Sequence, residues 1–201
     1  MARSSAKLFA WLQGADFYKD LHSKAMVGLP SGKDRTWLDF GCGPGLFTRL
    51  AATEGYSAIG IDRDPSMIRE AKKIAKSESS SAVFVNGDVY QNWPQGADVV
   101  SASSLLAVLD DKVGGFQALL KAAIPGGLVL IVEPTDQMST QAVEVLIGKG
   151  LHDERINGLR TWARARQGSA VDPEIFKAVG VQPLSFTPLL DGLVGAWLFQ
   201  R

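Results

Sequence analysis

Cysteine and histidine are scarce in this sequence of 201 residues, which contains one cysteine and two histidines. The single cysteine, Cys42, excludes a disulfide within the chain and suits a reducing compartment. His22 and His152 are too few for a zinc site built from cysteine and histidine ligands. The composition therefore predicts a protein whose chemistry involves no bound metal.

Long apolar runs and an excess of charge of one sign are also missing. The apolar stretch at residues 8–12 is too short for a signal peptide, and no run approaches the roughly 18 apolar residues of a membrane helix. The 21 basic residues balance 21 acidic ones, which gives no overall field for nucleic acid or an anionic membrane. We therefore expect a cytoplasmic protein that acts on a small molecule, with neither a membrane nor a nucleic acid as its partner.

From residue 36 onward, short apolar segments alternate with amphipathic ones. The expected strands are residues 36–40, 57–61, 82–85, 98–102 and 128–133, and the expected helices are residues 46–53, 65–76 and 112–123. Several strands are apolar on both faces, which suits a mostly parallel sheet with helices on both sides. Residues 184–188 and 193–199 flank a turn and predict an antiparallel pair at the end of the chain. The sequence thus predicts a single α/β domain with a doubly wound sheet.

Two stretches interrupt this alternation. Residues 1–33 precede the first strand and have a helical pattern, so we expect a helical cap at the N-terminal side of the domain. Residues 135–170 separate the fifth strand from the last helix, and connections of that length usually have a role. We expect this insertion to form two helices, residues 140–150 and 154–167, that act as a lid.

The most informative segment follows the first strand and reads Asp39-Phe40-Gly41-Cys42-Gly43-Pro44-Gly45. Glycine allows positive φ and a close approach of a ligand to the backbone, and the N–H groups at the start of the following helix favour a polar ligand. Asp62 ends the second strand, where a carboxylate can accept hydrogen bonds from both hydroxyls of a ribose. The pattern indicates a nucleoside pocket, although a turn without a ligand and a turn-capping role for Asp62 are the alternatives.

The order of five segments resembles the class I S-adenosylmethionine-dependent methyltransferases. The segments are residues 39–45, Ile59-Gly60-Ile61-Asp62, Gly87-Asp88-Val89, Asp98-Val99-Val100 and Pro125-Gly126-Gly127-Leu128. The resemblance implies a Rossmann-like, seven-stranded, mostly parallel sheet with an antiparallel final strand and helices on both faces. It also implies S-adenosyl-L-methionine as the cofactor and methyl transfer to an acceptor by in-line displacement.

Carried over by position, the resemblance implies a set of cofactor-binding residues. Asp39 and the glycine loop (Gly41, Cys42, Gly43 and Gly45) would face the methionine part, beside the end of the fourth strand at Ser101, Ala102 and Ser103. Asp62 would bind the ribose, and Arg63, Met67, Gly87, Asp88 and Val89 would surround the adenine. Apart from the resemblance, Phe17 and Tyr18 of the N-terminal cap are expected to close over the cofactor, with simple helix packing as the alternative. Asp88 also suits an Asx turn, and Cys42 is better explained as a small loop residue than as a nucleophile.

An NAD-dependent oxidoreductase is the main alternative from another enzyme class. Its fingerprint is Gly-x-Gly-x-x-Gly or Ala, whereas here the third glycine, Gly45, comes one residue early and is followed by Leu46. Tyr56 and Tyr90 belong to no arrangement typical of hydride transfer. A non-catalytic nucleoside-binding module is a third hypothesis, and it predicts a cofactor site with no room for an acceptor.

The acceptor site is expected to come from insertions at the carboxyl edge of the sheet. The candidate acceptor-binding residues are Ser104, after the fourth strand, and Arg160, Trp162 and Arg164 in the lid; arginine there would bind a carboxylate or phosphate. His152 is the candidate general base, which is needed only if the acceptor must lose a proton. The alternatives are structural: a solvated helix face for the arginines, a cap for Ser104, and packing or surface positions for Trp162 and His152.

Overall fold

The computed structural model describes residues 5–93 and 96–201, so the first four residues of the expected N-terminal cap lie outside it. The strands are β1 (Thr36–Phe40), β2 (Ser57–Asp62), β3 (Val83–Asn86), β4 (Ala97–Ser103), β5 (Ala123–Pro134), β6 (Ser185–Leu189) and β7 (Val194–Gln200). The helices are α1 (Ser5–Gln13), α2 (Asp16–Ala25), α3 (Leu46–Thr53), α4 (Pro65–Ser77), α5 (Lys112–Ala122), α6 (Thr140–Gly148), α7 (Ile156–Arg166) and α8 (Glu174–Ala178), and a short 3-10 helix, Leu106–Val108, follows β4. Within these described ranges, no helix has the length and apolar character needed to cross a membrane.

The strands of the described residues form one seven-stranded sheet in the order β3-β2-β1-β4-β5-β7-β6. The first five strands are parallel, whereas β7 pairs antiparallel with both β5 and β6. The predicted doubly wound sheet with an antiparallel final strand is therefore confirmed. The strand order runs outward in opposite directions from β1 and β4, which leaves a crevice at the carboxyl ends of these two neighbours.

Most elements begin and end within one residue of the predicted bounds. The first exception is β5, which begins at Ala123 rather than at residue 128, because Ala123 pairs with Ala97 before the ladder shifts register. The prediction for α7 was wrong by two residues at its start, because residues 154 and 155 form a turn. Helix α6 ends before the predicted residue 150, since Gly150 has a φ of +107°, a conformation that commonly terminates helices.

Aromatic side chains pack on both faces of the sheet. On one face, the Trp37 ring lies 5.5 Å from Phe47 and 5.0 Å from Tyr56, both edge to face. On the other face, Phe116 of α5 packs against Phe176 of α8, with 4.8 Å between the ring centroids. Aromatic pairs in such arrangements contribute about 0.5–1.5 kcal/mol beyond their burial. The central strands that lead to the crevice are therefore held from both sides.

The helices of the N-terminal cap and of the 135–170 insertion form one layer. Helix α1 contacts α7, and the Arg155 Nη1 atom donates a hydrogen bond to the Trp11 carbonyl oxygen at 3.0 Å. Tyr18 of α2 lies edge to face with Trp162 of α7, with 5.4 Å between the ring centroids. Two segments that are far apart in the sequence thus cover the same edge of the sheet.

Substitution of Gly45 tests how closely the glycine loop is packed. Gly45 has a φ of +84°, and a Cβ atom there would lie 2.4 Å from the Phe84 ring. Gly126 has a similar φ of +78° but nothing within 4 Å of its Cβ position, so Gly126→Ala measures the backbone strain alone. We expect Gly126→Ala to lower the free energy of unfolding by about 1–2 kcal/mol and Gly45→Ala by a further ~1–3 kcal/mol, as measured by urea denaturation. Equal losses would contradict the packing described.

Candidate functional site

A pocket lies at the carboxyl ends of β1, β2 and β4, under the helices of the covering layer. Many of the residues predicted from the sequence line it, namely Tyr18, Gly41, Gly43, Asp62, Arg63, Met67, Gly87, Asp88, Val89, Ser103, Ser104 and Trp162. The remaining lining residues are Phe9, Gln13, Phe40, Pro44, Ile61, Leu105, Val108, Leu109 and Arg166. The fold therefore brings residues from distant segments into one pocket at the crevice where open α/β sheets bind ligands.

The loop between β1 and α3 is bent by three glycines, with φ angles of +67° at Gly41, +53° at Gly43 and +84° at Gly45. The Cys42 N–H donates to the Ile61 carbonyl oxygen at 3.0 Å, which holds the loop against β2. Gly41 and Gly43 line the pocket, whereas Gly45 and Cys42 are buried behind it. Burial raises the pKa of the Cys42 thiol, which disfavours the thiolate that a nucleophile would need.

Asp62 supports this loop and faces the pocket at the same time. Its Oδ2 atom accepts the Gly43 N–H at 2.9 Å, and its Oδ1 atom accepts the Asp64 N–H at 2.8 Å. Each carboxylate oxygen has further acceptor capacity, so the partly exposed side chain can also accept hydroxyl groups of a ligand. Burial raises the pKa of Asp62, while the two backbone N–H donors oppose that shift and stabilise the charged form.

Asp39 lies underneath the pocket rather than in its wall. It is 1% exposed, and its carboxylate accepts the hydroxyls of Thr48 at 2.7 Å and Ser101 at 2.8 Å. Burial raises the pKa of Asp39 to about 6, and the hydroxyl donors partly oppose the shift. Asp39 thus ties β1 to α3 and to β4. Its contact with the methionine part of a cofactor stays a prediction.

At the end of β4, Ser103 lines the pocket, whereas Ser101 and Ala102 are buried within the sheet. The Ser103 Oγ atom lies 2.9 Å from His22 Nε2, and His22 Nδ1 lies 2.8 Å from the Tyr18 carbonyl oxygen. A carbonyl oxygen only accepts, so Nδ1 carries the proton of the neutral imidazole and Nε2 accepts the Ser103 hydroxyl. Burial lowers the pKa of His22 to about 4, which keeps the ring neutral at pH 7.

Asp88 lies in the pocket wall and also forms the turn that was its structural alternative. It lines the pocket, and its Oδ1 atom also accepts the Tyr90 N–H at 3.0 Å, as in an Asx turn. The Trp93 Nε1 atom donates to the Asp88 carbonyl oxygen at 3.0 Å. The preceding Gly87 N–H donates to the Asp62 carbonyl oxygen at 3.1 Å, so the turn after β3 is anchored to the end of β2.

Three of the residues predicted in the lid lie outside the pocket. Arg160 donates to both carboxylate oxygens of Glu144, at 2.6 and 2.9 Å. Arg164 is exposed, and exposed His152 borders a separate surface depression. The structure therefore gives all three the solvated positions that were the structural alternatives. Among the residues at 5–93 and 96–201, no group of His, Cys, Asp and Glu is arranged to hold a metal ion.

Gln13 and Arg166 line the pocket but were not among the predicted site residues. The Gln13 Oε1 atom accepts the Leu46 N–H, the first of α3, at 3.1 Å. No local pattern marks this contact, since it joins residues 33 positions apart. Arg166 follows Trp162 by four positions on α7, and residues at that spacing share a helix face. A prediction that Trp162 lines the pocket therefore extends, by this spacing, to Arg166.

Comparison with known sequences relates the chain to methyltransferases. A family model described as "Methyltransferase domain" matches residues 11–171. The chain is 32% identical over 113 residues to the trans-aconitate 2-methyltransferase of Rhizobium leguminosarum bv. trifolii (strain WSM2304), in a match that covers 54% of this chain and 42% of that protein. It is 23% identical over 166 residues to the ubiquinone biosynthesis O-methyltransferase of Methylococcus capsulatus (strain ATCC 33009 / NCIMB 11132 / Bath), covering 75% of this chain and 69% of that protein. The chain thus spans less than half the length of the first of these curated relatives.

Comparison with solved structures gives the same fold. A SAM-dependent methyltransferase from Aquifex aeolicus superimposes with a TM-score of 0.69 at 12% sequence identity, and the match covers 99% of both chains. At this identity the likeness establishes a common architecture.

The state of the His22 ring is directly testable by NMR. We expect the neutral tautomer with the proton on Nδ1, and a pKa of about 4 instead of the ordinary 6.5. Because the unfolded chain binds this proton at a higher pH than the folded chain, the contribution of His22 to stability should fall as the pH drops from 6.5 toward 4. Long-range ¹H–¹⁵N correlation spectra, assigned with His22→Gln, monitor the ring. Titration near pH 6.5 or a proton on Nε2 would contradict the assignment.

Proposed function

The chain belongs to the class I, Rossmann-like methyltransferase family, and we propose that it transfers the methyl group of S-adenosyl-L-methionine to a small-molecule acceptor. One observation carries this proposal. The pocket is lined by the glycine loop and Asp62 and also by Ser104 and Trp162, which lie outside the predicted cofactor set. Because the pocket extends beyond the proposed cofactor-binding residues, it supports an enzyme with an acceptor site over a module that binds only a nucleoside.

The pocket residues fit an adenosine that carries an amino-acid tail. Asp62 retains acceptor capacity for ribose hydroxyls, and Asp88 offers a carboxylate for the exocyclic amine of the adenine, with Met67 as an apolar neighbour. Glycine is needed at position 41, where φ is +67° and a Cβ atom would lie 2.9 Å from the Leu105 side chain. We assign Gly41 and Gly43 to the methionine part, because they leave the backbone open to a ligand.

When bound, S-adenosyl-L-methionine supplies a methyl group that is activated by its attachment to a positively charged sulfur. The residues of the chain then need to hold an acceptor in line with that methyl group and to exclude water, and positioning of this kind supplies much of the rate enhancement in many enzymes. Phe9, Tyr18 and Trp162 from the covering layer provide apolar surface around the pocket. We assign these three residues to the exclusion of water.

Ser103 is the residue to which we assign the orientation of the acceptor. Its own hydrogen is directed to His22 Nε2, 2.9 Å away, and the Tyr18 side chain is a second hydrogen-bond partner. The remaining lone pair of the Ser103 oxygen can accept an N–H or O–H of the acceptor. The lowered pKa of His22 favours this hydrogen-bonding role over full uptake of a proton. We therefore treat His22 as a positioning residue that acts through Ser103.

A small molecule is the acceptor class that we propose. The two curated relatives described above are named for trans-aconitate and for ubiquinone biosynthesis, whereas a third, from Vibrio vulnificus (strain YJ016), is named for ribosomal protein L11. The balance of 21 basic and 21 acidic residues gives no overall attraction to a nucleic acid. We place the enzyme in the cytoplasm, because its one cysteine is a free, buried thiol and suits a reducing compartment.

Asp62→Asn tests the proposed ribose contact. The amide keeps one acceptor oxygen but loses the charge, so we expect the affinity for S-adenosylhomocysteine to fall by about 1–3 kcal/mol, roughly 5- to 150-fold. Isothermal titration calorimetry measures the loss. Asp136→Asn, at an exposed position away from the pocket, is the matched control and should bind within about twofold of the unmodified chain.

The same titrations decide between methyl transfer and the oxidoreductase hypothesis. The unmodified chain should bind S-adenosylhomocysteine and show no comparable affinity for NAD. Tighter binding of NAD would favour the oxidoreductase. An affinity for S-adenosylhomocysteine that is unchanged in Asp62→Asn would mean that the ribose binds elsewhere.

A further inference from the structure

Two buried polar atoms in the walls of the pocket lack a hydrogen-bond partner among the described residues. They are the hydroxyl of Ser104 and the Nε atom of Arg166, and both residues line the pocket. Folded proteins satisfy nearly all of their buried polar groups, because an unsatisfied one costs about 1–3 kcal/mol. Two such atoms in one pocket indicate a binding site for a ligand that accepts hydrogen bonds.

The guanidinium of Arg166 also lacks a counter-ion within the described part of the chain. Its Nη1 atom donates to the Ala165 carbonyl oxygen at 3.4 Å, a long contact for a hydrogen bond. By contrast, Arg160 on the same helix has a two-pronged ion pair with Glu144, and Arg49 pairs with Glu78 at 2.8 Å. Arg166 thus brings an uncompensated positive charge to the pocket.

Glu133 is a fully buried acid that interacts electrostatically with Arg166, but among the described residues no ion pair joins the two side chains. Burial raises the pKa of Glu133 to about 8, which favours its neutral form. Its Oε1 atom accepts the Leu106 N–H at 2.7 Å, and its buried Oε2 atom has no hydrogen-bond partner among the described residues. Glu133, on β5, therefore holds the segment after β4 in place through this hydrogen bond.

That segment places Ser104 in a conformation that has to be held by its surroundings. Ser104 has a φ of +54°, which is costly for a residue with a Cβ atom. The Ser104 N–H donates to the Val132 carbonyl oxygen at 2.9 Å, and Glu133 anchors the next turn of chain. Strain of this kind is commonly found where a side chain has to face a ligand.

The other wall is the face of α7 that carries Trp162 and Arg166. These residues are four positions apart, and both line the pocket. Trp162 is fixed by its edge-to-face contact with Tyr18, at 5.4 Å between the ring centroids. The pocket thus combines a guanidinium, a hydroxyl and a rigid aromatic surface.

We propose that Arg166 and Ser104 bind a carboxylate of the methyl acceptor. This inference rests on the proposed function, because it takes this part of the pocket to be the acceptor site. A guanidinium and a hydroxyl offer donors to the two oxygens of a planar carboxylate, and a single arginine balances its one negative charge. A phosphate ester would bring more negative charge than Arg166 balances.

The test uses the full chain saturated with S-adenosylhomocysteine and matched neutral and anionic probes. The pairs are benzoate with benzamide and 4-hydroxybenzoate with 4-hydroxybenzamide, with phenyl phosphate as the rival anion, and ligand-observed NMR titration gives the affinities. We expect each acid to bind at least about tenfold more tightly than its amide and more tightly than phenyl phosphate. Arg166→Gln should remove the advantage of the acid and leave the affinity for the amide within about twofold.

Arg164→Gln is the control, since Arg164 is an exposed arginine of the same helix outside the pocket. It should leave all affinities unchanged. If Arg166→Gln fails to fold, Ser104→Ala serves as the second variant and should weaken the acids more than the amides. Thermal melting shows that each variant keeps its fold. Calorimetry tests the carboxylate of the cofactor as the rival occupant: a loss of affinity for S-adenosylhomocysteine in Arg166→Gln but not in Arg164→Gln would overturn the acceptor site.

The outcomes separate this inference from the proposed function. Failure of the unmodified chain to bind S-adenosylhomocysteine would overturn both. Normal binding of S-adenosylhomocysteine, with no acid bound more tightly than its amide, would overturn the carboxylate site alone. Equal losses in Arg166→Gln and Arg164→Gln, or a preference for phenyl phosphate, would do the same.

Discussion

The hydrogen bond from the Gly43 N–H to the Asp62 carboxylate, at 2.9 Å, is the contact on which the site depends. It joins the loop after β1 to the end of β2, and it needs a backbone with positive φ at Gly43 that glycine adopts at little cost. The same carboxylate faces the pocket, so the residue that shapes the loop is also the residue that we assign to the ribose. The sheet makes this possible, because parallel neighbours end at the same edge.

A second set of buried polar contacts lies beneath the first. Asp39 binds the hydroxyls of Thr48 and Ser101, and His22 binds Ser103, so α3, β4 and α2 are each connected to the floor of the pocket. Buried networks of this kind stabilise one arrangement only when their members are satisfied. Such fixed side chains suit methyl transfer, which depends on holding an acceptor in a narrow range of positions.

The sequence was sufficient for the sheet and for the pocket wall formed by the loops after β1, β2 and β3, because both follow from local patterns. Alternating apolar segments placed the strands, and the glycine loop with Asp62 and Asp88 predicted residues that the fold brings together. The opposite wall depends on which face of α7 meets the pocket, and this is set by contacts between distant segments. Trp162 against Tyr18 turns Arg166 inward and leaves Arg160 with Glu144 on the outside. Similarly, no local pattern separated buried His22 from exposed His152.

The two proposals concern one pocket. In it, we propose, the cofactor binds over the glycine loop and a carboxylate of the acceptor binds between Ser104 and Arg166. A crystal structure with S-adenosylhomocysteine bound is the most direct measurement of the central claim. The account predicts that both ribose hydroxyls contact the Asp62 carboxylate and that the homocysteine tail lies along Gly41 and Gly43. A ribose bound away from Asp62, or a pocket filled by side chains of the protein, would contradict it.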